Sequence, residues 1–485
     1  MQEFTEILGH IRDAVWGVPT MILLLGTGLL LTIMLKGMSF FRLPRAFKMI
    51  FEKEEGAGGD VSPFASLCTS LAATIGTGSI VGVATALRIG GPGALFWMWV
   101  SALLGMATKY AEALLAVKYR TTDENGQYAG GPMYYIEKGM GKKWIPLAKA
   151  FAIFGLVTAL LGCGTLPQVN AITESVESLF HIPAWITGLI VTVVSGVVIL
   201  GGIKSISKVA EFVVPIMAAL YIGGAVCVLG INIRAIPGVF ADIFSAAFNP
   251  TSVAGGVTGT VVISVLTSMR TGIARGIYTN EAGLGSSPIV SASAKTNSCV
   301  RQGLISMTGV FVTTIVICTM TGIVIMSSGL LETSSVDGSI LASQAFSIGL
   351  PGNIGEYIVT IGIIFFSFTT IIGWCYYGER CAVYLTGGIK IINAYKVVYI
   401  LMLAVAPFLA LDAIWTMADI TNALMTFPNL IALLALRKVV VSETNLFWLS
   451  EKEKAASRKS LLKGYFGKFG KFWKGHIGAI ISRLQ

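Results

Sequence analysis

Thr279-Asn280-Glu281-Ala282-Gly283-Leu284-Gly285-Ser286-Ser287-Pro288-Ile289 interrupts a chain whose other long segments are mostly apolar. In a soluble domain a run this rich in glycine, hydroxyls and carboxylate belongs to a surface loop. Here its flanks, Val257 to Met269 and Ile289 to Ala294, are apolar or small enough to enter a bilayer. Irregular backbone at that depth persists only where protein or a watery cavity satisfies its peptide groups. Two readings are open: a site built on a broken helix, or a kinked structural helix packed through small residues.

The composition decides the class. Of 485 residues, 54% are hydrophobic and 12% charged, with a mean hydropathy of +0.77. Soluble domains carry about 25% charged residues, so a polytopic membrane protein is expected in place of the roughly three soluble domains that length alone suggests. The seven cysteines are scattered through apolar segments without paired short spacing, which excludes a disulfide framework or zinc ribbon. His10, His181 and His476 lie far apart and outside the spans, which argues against a histidine metal site. The first apolar stretch, Val18 to Leu35, follows Glu3, Glu6 and Asp13 where a secretory signal needs basic residues, so it reads as a retained span.

Segments of about 17 to 25 apolar residues give eleven expected spans, near 17–35, 65–88, 93–117, 146–179, 184–201, 210–230, 257–294, 303–326, 356–379, 394–411 and 414–436. The seventh is too long for one straight crossing and suggests two half-helices with an extended joint. Basic residues alternate between connections. Lys36, Arg42, Arg45, Lys48 and Lys53 crowd the first, against Arg88 in the second; Lys118, Arg120, Lys138, Lys142 and Lys143 fill the third, against none around His181. Lys204 and Lys208 then face Arg234, Lys295 and Arg301 face a bare 327–356, and Arg380 and Lys390 face a bare region near 412. This places the N-terminus outside and the C-terminus in the cytoplasm, for a multi-pass protein of the plasma (inner) membrane.

Two domains follow: a membrane domain over 1–437 and a basic cytoplasmic tail over 438–485. From Arg437 onward there are eleven lysines and arginines against three glutamates. Leu462, Tyr465, Phe466, Phe469, Phe472 and Trp473 alternate with lysines, a pattern suited to a helix on anionic lipid head groups or to a solvated tail, and less to nucleic acid.

The second span carries Thr74-Ile75-Gly76-Thr77-Gly78-Ser79-Ile80-Val81-Gly82. Each helix-interior glycine costs about 1 kcal/mol relative to alanine, so three so close favour a break. With the first span (about 17–35) set aside, repeat one (about 65–230) and repeat two (about 257–436) hold five spans each. The glycine-broken helix comes first in both, which points to the binding site of an inverted-repeat transporter. A restarted helix presents unpaired amides and a positive pole to an anion; a stopped helix presents carbonyls to a cation. An amino acid zwitterion needs both, and the Gly76–Ser79 amides with the Gly276–Thr279 carbonyls are the candidates.

These two stretches, with Gly90-Gly91-Pro92-Gly93-Ala94-Leu95-Phe96-Trp97-Met98-Trp99, Gly130-Gly131-Pro132 and Trp374-Cys375-Tyr376-Tyr377-Gly378-Glu379, resemble the alanine or glycine:cation symporter family from about Val18 to Arg437. The resemblance implies an all-α, LeuT-like fold of five plus five inverted spans behind one extra span, and inward cotransport of a small neutral amino acid with sodium. Carried over to this sequence, it places Thr74, Gly76 and Gly78 at the substrate carboxylate and Gln168 in the pocket wall. Ile277, Tyr278 and Thr279 fall beside the ammonium and side chain, and Thr370 and Trp374 on the far wall. For sodium it suggests Thr74 in the broken span with Ser367, Thr369 and Thr370. Ser79 departs from the asparagine frequent in the family, and Tyr278 from a frequent phenylalanine; a buried tyrosine hydroxyl needs a partner.

Other charged residues have plainer readings. Arg275 and Glu281 suit a structural ion pair or a gate, Lys109 and Glu112 a pair on one helix face, and Glu379 and Arg380 an end-of-span pair. Trp97 and Trp99 suit interfacial anchors. A pocket walled by Gln168, Tyr278 and Trp374 suits a side chain of a methyl or less, so alanine is expected, with glycine and D-alanine open. A proton-coupled transporter of the same fold is the nearest rival and a channel the next. An enzyme is not expected, because no nucleophile, base and orienting acid converge.

Overall fold

The computed structural model describes residues 2–52, 54, 56–255, 259–409 and 411–484. It divides into two units, Met1–Arg437 and Lys438–Gln485, the second helical from 438 to 484. Lys53, Val257 and the side chains of the tail's aromatic face lie outside the described residues.

The chain is helical because its apolar segments leave the backbone no partner in lipid but itself. In chain order the principal helices are α1 (Val18–Met34), α2 (Pro63–Thr74), α3 (Val81–Gly90), α4 (Gly93–Lys118), α5 (Ile145–Leu161) and α6 (Leu166–Phe180). Next come α7 (Ala184–Leu200), α8 (Gly202–Ile231), α9 (Ile236–Phe248), α10 (Val265–Asn280), α11 (Cys299–Val310) and α12 (Thr319–Ser327). The last are α13 (Gly338–Gly349), α14 (Ile354–Thr386), α15 (Ile391–Val405) and α16 (Leu411–Leu484). Among the described residues eight helical stretches are long and apolar enough to cross a membrane when followed through short turns, as in Ile7–Met34 and Lys142–Phe180. The second, fifth and seventh expected spans are not among the eight: two are interrupted, and α7 has only 17 residues. The outer faces of α1, α7 and α8 leave Ile33, Val197, Leu200 and Phe212 at least 65% exposed, an apolar surface that a bilayer, not water, would solvate.

The core is organised by α4, which lies against α10 and α11, and by α14, which lies against α5, α6, α8 and α13. Among the described residues the paired strands form two antiparallel hairpins, Thr121–Thr122 with Tyr128–Ala129 and Thr251–Gly255 with Gly259–Ile263. The second hairpin corrects the seventh expected span, whose helix begins only at Val265, where the Ser264 hydroxyl caps it by accepting the Thr267 amide. The half-helix expected after the polar run is a single turn, Pro288–Ser291. The fourth expected span is also not continuous. It breaks at Gly162–Thr165, between α5 and α6, where two glycines and Pro167 interrupt the helix.

Candidate functional site

At the end of α2 the backbone leaves the helix at Ile75, is extended at Gly76 and makes one tight turn over Thr77–Ser79 before α3 begins. The Gly76 N–H therefore does not continue the ladder to the Ala72 carbonyl; the Thr370 hydroxyl donates to that oxygen instead, at 3.0 Å. A Cβ at Gly76 would lie 2.5 Å from that hydroxyl, so only glycine permits α14 to come this close. The Thr77 N–H donates to Gln168 Oε1 at 3.3 Å, and the Ser79 N–H to the Gly76 carbonyl at 3.2 Å. The N–H groups of Gly76 and Gly78 find no acceptor among the described residues. The hydroxyls of Thr77 and Ser79 are buried and unpaired as well.

Facing this turn is the end of α10. A Cβ at Gly78 would lie 2.8 Å from the Tyr278 ring and 3.0 Å from Thr279 Oγ1, which fixes how tightly the two broken helices meet. The last four carbonyls of a helix lack internal partners. In α10 the Ile277 carbonyl accepts the Glu281 N–H at 2.8 Å and the Asn280 carbonyl accepts Lys109 Nζ at 2.8 Å. The carbonyls of Tyr278 and Thr279 accept nothing among the described residues, which narrows the expected Gly276–Thr279 set to these two. One broken helix thus carries unpaired donors and the other unpaired acceptors, and the two meet at Gly78, Tyr278 and Thr279. Buried polar groups are rarely left so, and the Tyr278 hydroxyl adds another unpaired group.

The break between α5 and α6 was not foreseen, and it is what delivers Gln168. Gln168 Nε2 donates to the Cys163 carbonyl at 3.0 Å, so the amide spans from the third break to the first. Tyr399 Oη lies 2.8 Å from the Gly164 carbonyl and 2.7 Å from that of Ile371, bracing the break against α14. Trp374 closes over Gly164, whose Cβ would lie 2.8 Å from that of the tryptophan, and its ring meets Tyr377 edge-on at 5.3 Å. The signal for this break, Gly162-Cys163-Gly164-Thr165-Leu166-Pro167, was in the sequence.

The hydroxyls expected to hold an ion separate into three kinds. Ser367 is fully buried with its oxygen unpaired. Thr370 reaches α2 as described, whereas Thr369 bonds the Phe366 carbonyl at 3.0 Å and turns toward Met217 of α8. The Thr74 hydroxyl folds back on its own turn, to the Ser70 carbonyl at 2.9 Å. The structure brings Gly76, Gln168 and Thr370 together, and Gly78, Tyr278 and Thr279 together; Thr369 lies apart from both groups.

Every one of these side chains is buried, with Tyr278 the most exposed at 8%. A cavity of about 540 Å³ at the start of α3 stops at Arg275 and Trp415. There Arg275 pairs with Asp419 through two hydrogen bonds of 3.0 and 3.2 Å, and Tyr278 stacks against Trp415 at 5.9 Å. This corrects the expected Arg275–Glu281 pairing: Glu281 points the other way and accepts from the Ser286 hydroxyl at 2.6 Å. A second cavity, of about 590 Å³, lies at the start of α2 between Asp60, Lys204, Lys208 and Lys295. Near it Arg120 donates to four carbonyls, those of Gly58, Ala292, Ala294 and Thr296, tying the chain after the polar run to the approach of α2. Glu379 and Arg380 do pair, within a cluster that adds Asp123 and Lys396. Trp97 and Trp99 are half-buried, their indoles donating to the Ala247 carbonyl and Thr319 Oγ1.

The chain is similar to known membrane transporters. The sequence model described as the sodium:alanine symporter family matches residues 1–461. An uncharacterized transporter of Haemophilus influenzae is 53% identical over 439 residues, covering 90% of this chain and 95% of that protein. The sodium/alanine symporter AgcS of Methanococcus maripaludis is 46% identical over 452 residues, covering 92% and 97%. The probable sodium/glutamine symporter GlnT of Bacillus subtilis is 37% identical over 448 residues, covering 91% and 90%.

Proposed function

This chain belongs to the sodium:alanine symporter family, and from that premise we propose that it imports a small neutral amino acid, alanine first, together with sodium by alternating access. One observation carries the proposal: the unpaired amides of Gly76 and Gly78 and the unpaired carbonyls of Tyr278 and Thr279 belong to two broken helices that meet where Gly78 packs on the Tyr278 ring and Thr279 Oγ1. That is the complement of a zwitterion, carboxylate on one side and ammonium on the other, with the close approach that glycine allows. Gln168, Thr370 and Trp374 form the remaining wall, and Ile277 lies one residue before the carbonyls. Ser367, with its unpaired oxygen, heads the candidate sodium ligands, joined by the carbonyl end of α2; Thr370, Thr74 and Thr369 contribute only if their present bonds are exchanged.

The fold proposed for this transport is one leading span followed by five plus five inverted spans. Adding α2 with α3, α7, and α10 with its following turn to the eight long helices gives eleven. Arg275–Asp419 and Tyr278–Trp415 close the centre toward one cavity, proposed to face outward, and Arg120 helps close it toward the other, proposed to face the cytoplasm. The basic tail is proposed to follow the anionic cytoplasmic leaflet. Sodium entering along a 100 mV inside-negative potential supplies about 2.3 kcal/mol per charge before its concentration gradient is counted.

Proton coupling has one observation in its favour: Glu112 and Glu281 are both sealed in the core. Glutamine has one too, in the name of the Bacillus subtilis relative. Radiolabelled alanine uptake into proteoliposomes decides the first question, with outside sodium compared with choline and with an imposed pH gradient. Sodium-dependent uptake is expected. Uptake indifferent to sodium and driven by the pH gradient defeats the sodium assignment, and glutamine as the preferred substrate defeats the alanine one.

A further inference from the structure

One face of α4 runs beside the whole of the second broken helix. Ser101 and Met98 meet Gly276, Gly105 meets Ala282, and Lys109 and Glu112 follow at helical spacing. The last two do not serve mainly as a pair for each other, as their spacing had suggested. Lys109 Nζ donates to the Asn280 carbonyl at 2.8 Å, while Glu112 Oε1 accepts the Gly283 N–H at 3.0 Å. One turn of α4 therefore holds the last carbonyl before the unwound segment with a cation, and an amide within that segment with an anion. The signs match the poles, since a helix C-terminus favours a positive charge.

The remaining contacts brace the same point. Asn429 Nδ2 donates to both Glu112 Oε1 and the Gly283 carbonyl, at 2.6 and 2.8 Å, and Tyr135 Oη donates to Asn429 Oδ1. Asn280 Oδ1 accepts the Ala282 N–H at 2.9 Å. Lys109 is 2% exposed, Glu112 fully buried and Glu281 2% exposed, so the lysine's charge is held entirely by these protein groups. Such a lysine is retained against a large desolvation cost.

We propose that Lys109 is a positioning residue for substrate binding: by holding the Asn280 carbonyl it fixes the two carbonyls immediately before it, Tyr278 and Thr279, where the substrate ammonium is received. The inference rests on the functional reading above and adds a residue that touches no substrate. It distinguishes the polar groups of α10 by occupant, protein for Asn280 and ligand for its two predecessors. The Lys109 side chain also keeps the Asn280 carbonyl from competing for the ammonium.

The test uses the full-length protein in proteoliposomes, with K109M, which removes donor and charge, and K109Q, which keeps a shorter neutral donor. Alanine KM, sodium half-saturation at saturating alanine, and the amount of reconstituted folded protein are measured together. The proposal expects KM to rise about tenfold or more in K109M, and about threefold or more in K109Q, a tenfold change being the full effect of one displaced contact. Sodium half-saturation stays within about twofold, because the proposed ion ligands lie on α2 and α14. A purely structural lysine lowers the amount of folded protein and leaves its KM at the wild-type value, and that outcome overturns the proposal. Where K109M does not insert, an unchanged KM in K109Q overturns it alone. Wild-type protein that carries a different amino acid, or ignores sodium, defeats the functional reading; the variants are then scored on the KM of the amino acid that wild type carries.

Discussion

The two glycine-rich breaks differ in what satisfies them. Between Ile75 and Ile80 the backbone is open, with the amides of Gly76 and Gly78 and the hydroxyls of Thr77 and Ser79 unpaired. Between Glu281 and Gly283 side chains take up the backbone, whereas the amides of Gly285, Ser286 and Ser287 find no acceptor among the described residues. Lys109 holds one end, Glu112 and Asn429 hold Gly283 from both its polar groups, and Ser286 answers Glu281. Glu281, Gly283 and Gly285 all have positive φ, so this segment is fixed in an unwound path that glycine makes accessible. The first half of the conspicuous polar run is thus held by protein side chains. The quieter turn, together with the two carbonyls just before the run, is left for something else.

The largest effect that could break this contrast is expected at Gly76. G76A puts a methyl onto the Thr370 hydroxyl, and uptake should fall by about a hundredfold or more at unchanged protein level, the cost of displacing a binding centre by about 1 Å. Near-normal uptake by G76A would mean that the open turn is not the site. Next is Q168A, which releases the Thr77 amide and the Cys163 carbonyl; alanine KM should rise about tenfold, read from the concentration dependence of initial uptake. A rise confined to Vmax would instead make Gln168 a helix brace.

Charges outside the centre should act on rate. D419N removes half of the pair closing the Arg275 side, and Vmax is expected to drop several-fold, roughly 3–10, with the alanine-to-sodium ratio unchanged. Loss of coupling in D419N would place Asp419 in ion binding. The ion ligands give a smaller and more selective effect: S367A should raise the sodium half-saturation about fivefold, while T369V, whose hydroxyl is already spent on Phe366, should stay within about twofold. The reverse order would exchange their roles.

Much of this was legible beforehand. Hydropathy gave the helices, glycine spacing gave the first two breaks, and the family resemblance pointed to Gln168, Thr370 and Trp374, which are proposed as pocket wall. Other features were not legible for physical reasons. The break at Gly162–Thr165 is four residues long and hardly changes the hydropathy of its window, so span 4 read as continuous. Arg275 finds Asp419 across 144 residues, and no local pattern carries such a pairing. Lys109 and Glu112 lie three apart, which sequence reads as a mutual pair; only packing shows the broken backbone that each faces. The hairpin before Val265 replaced an expected helix because a short apolar run suits strand and helix alike.

The central claim is that one substrate must present an anion to the Gly76–Gly78 turn and a cation to the Tyr278 and Thr279 carbonyls. Competition against sodium-driven radiolabelled alanine uptake measures this directly, using excess alaninamide, which lacks the carboxylate, and propionate, which lacks the ammonium. Unlabelled alanine should abolish uptake, while neither analogue should reduce it appreciably. Inhibition by either analogue at concentrations comparable to alanine contradicts the claim.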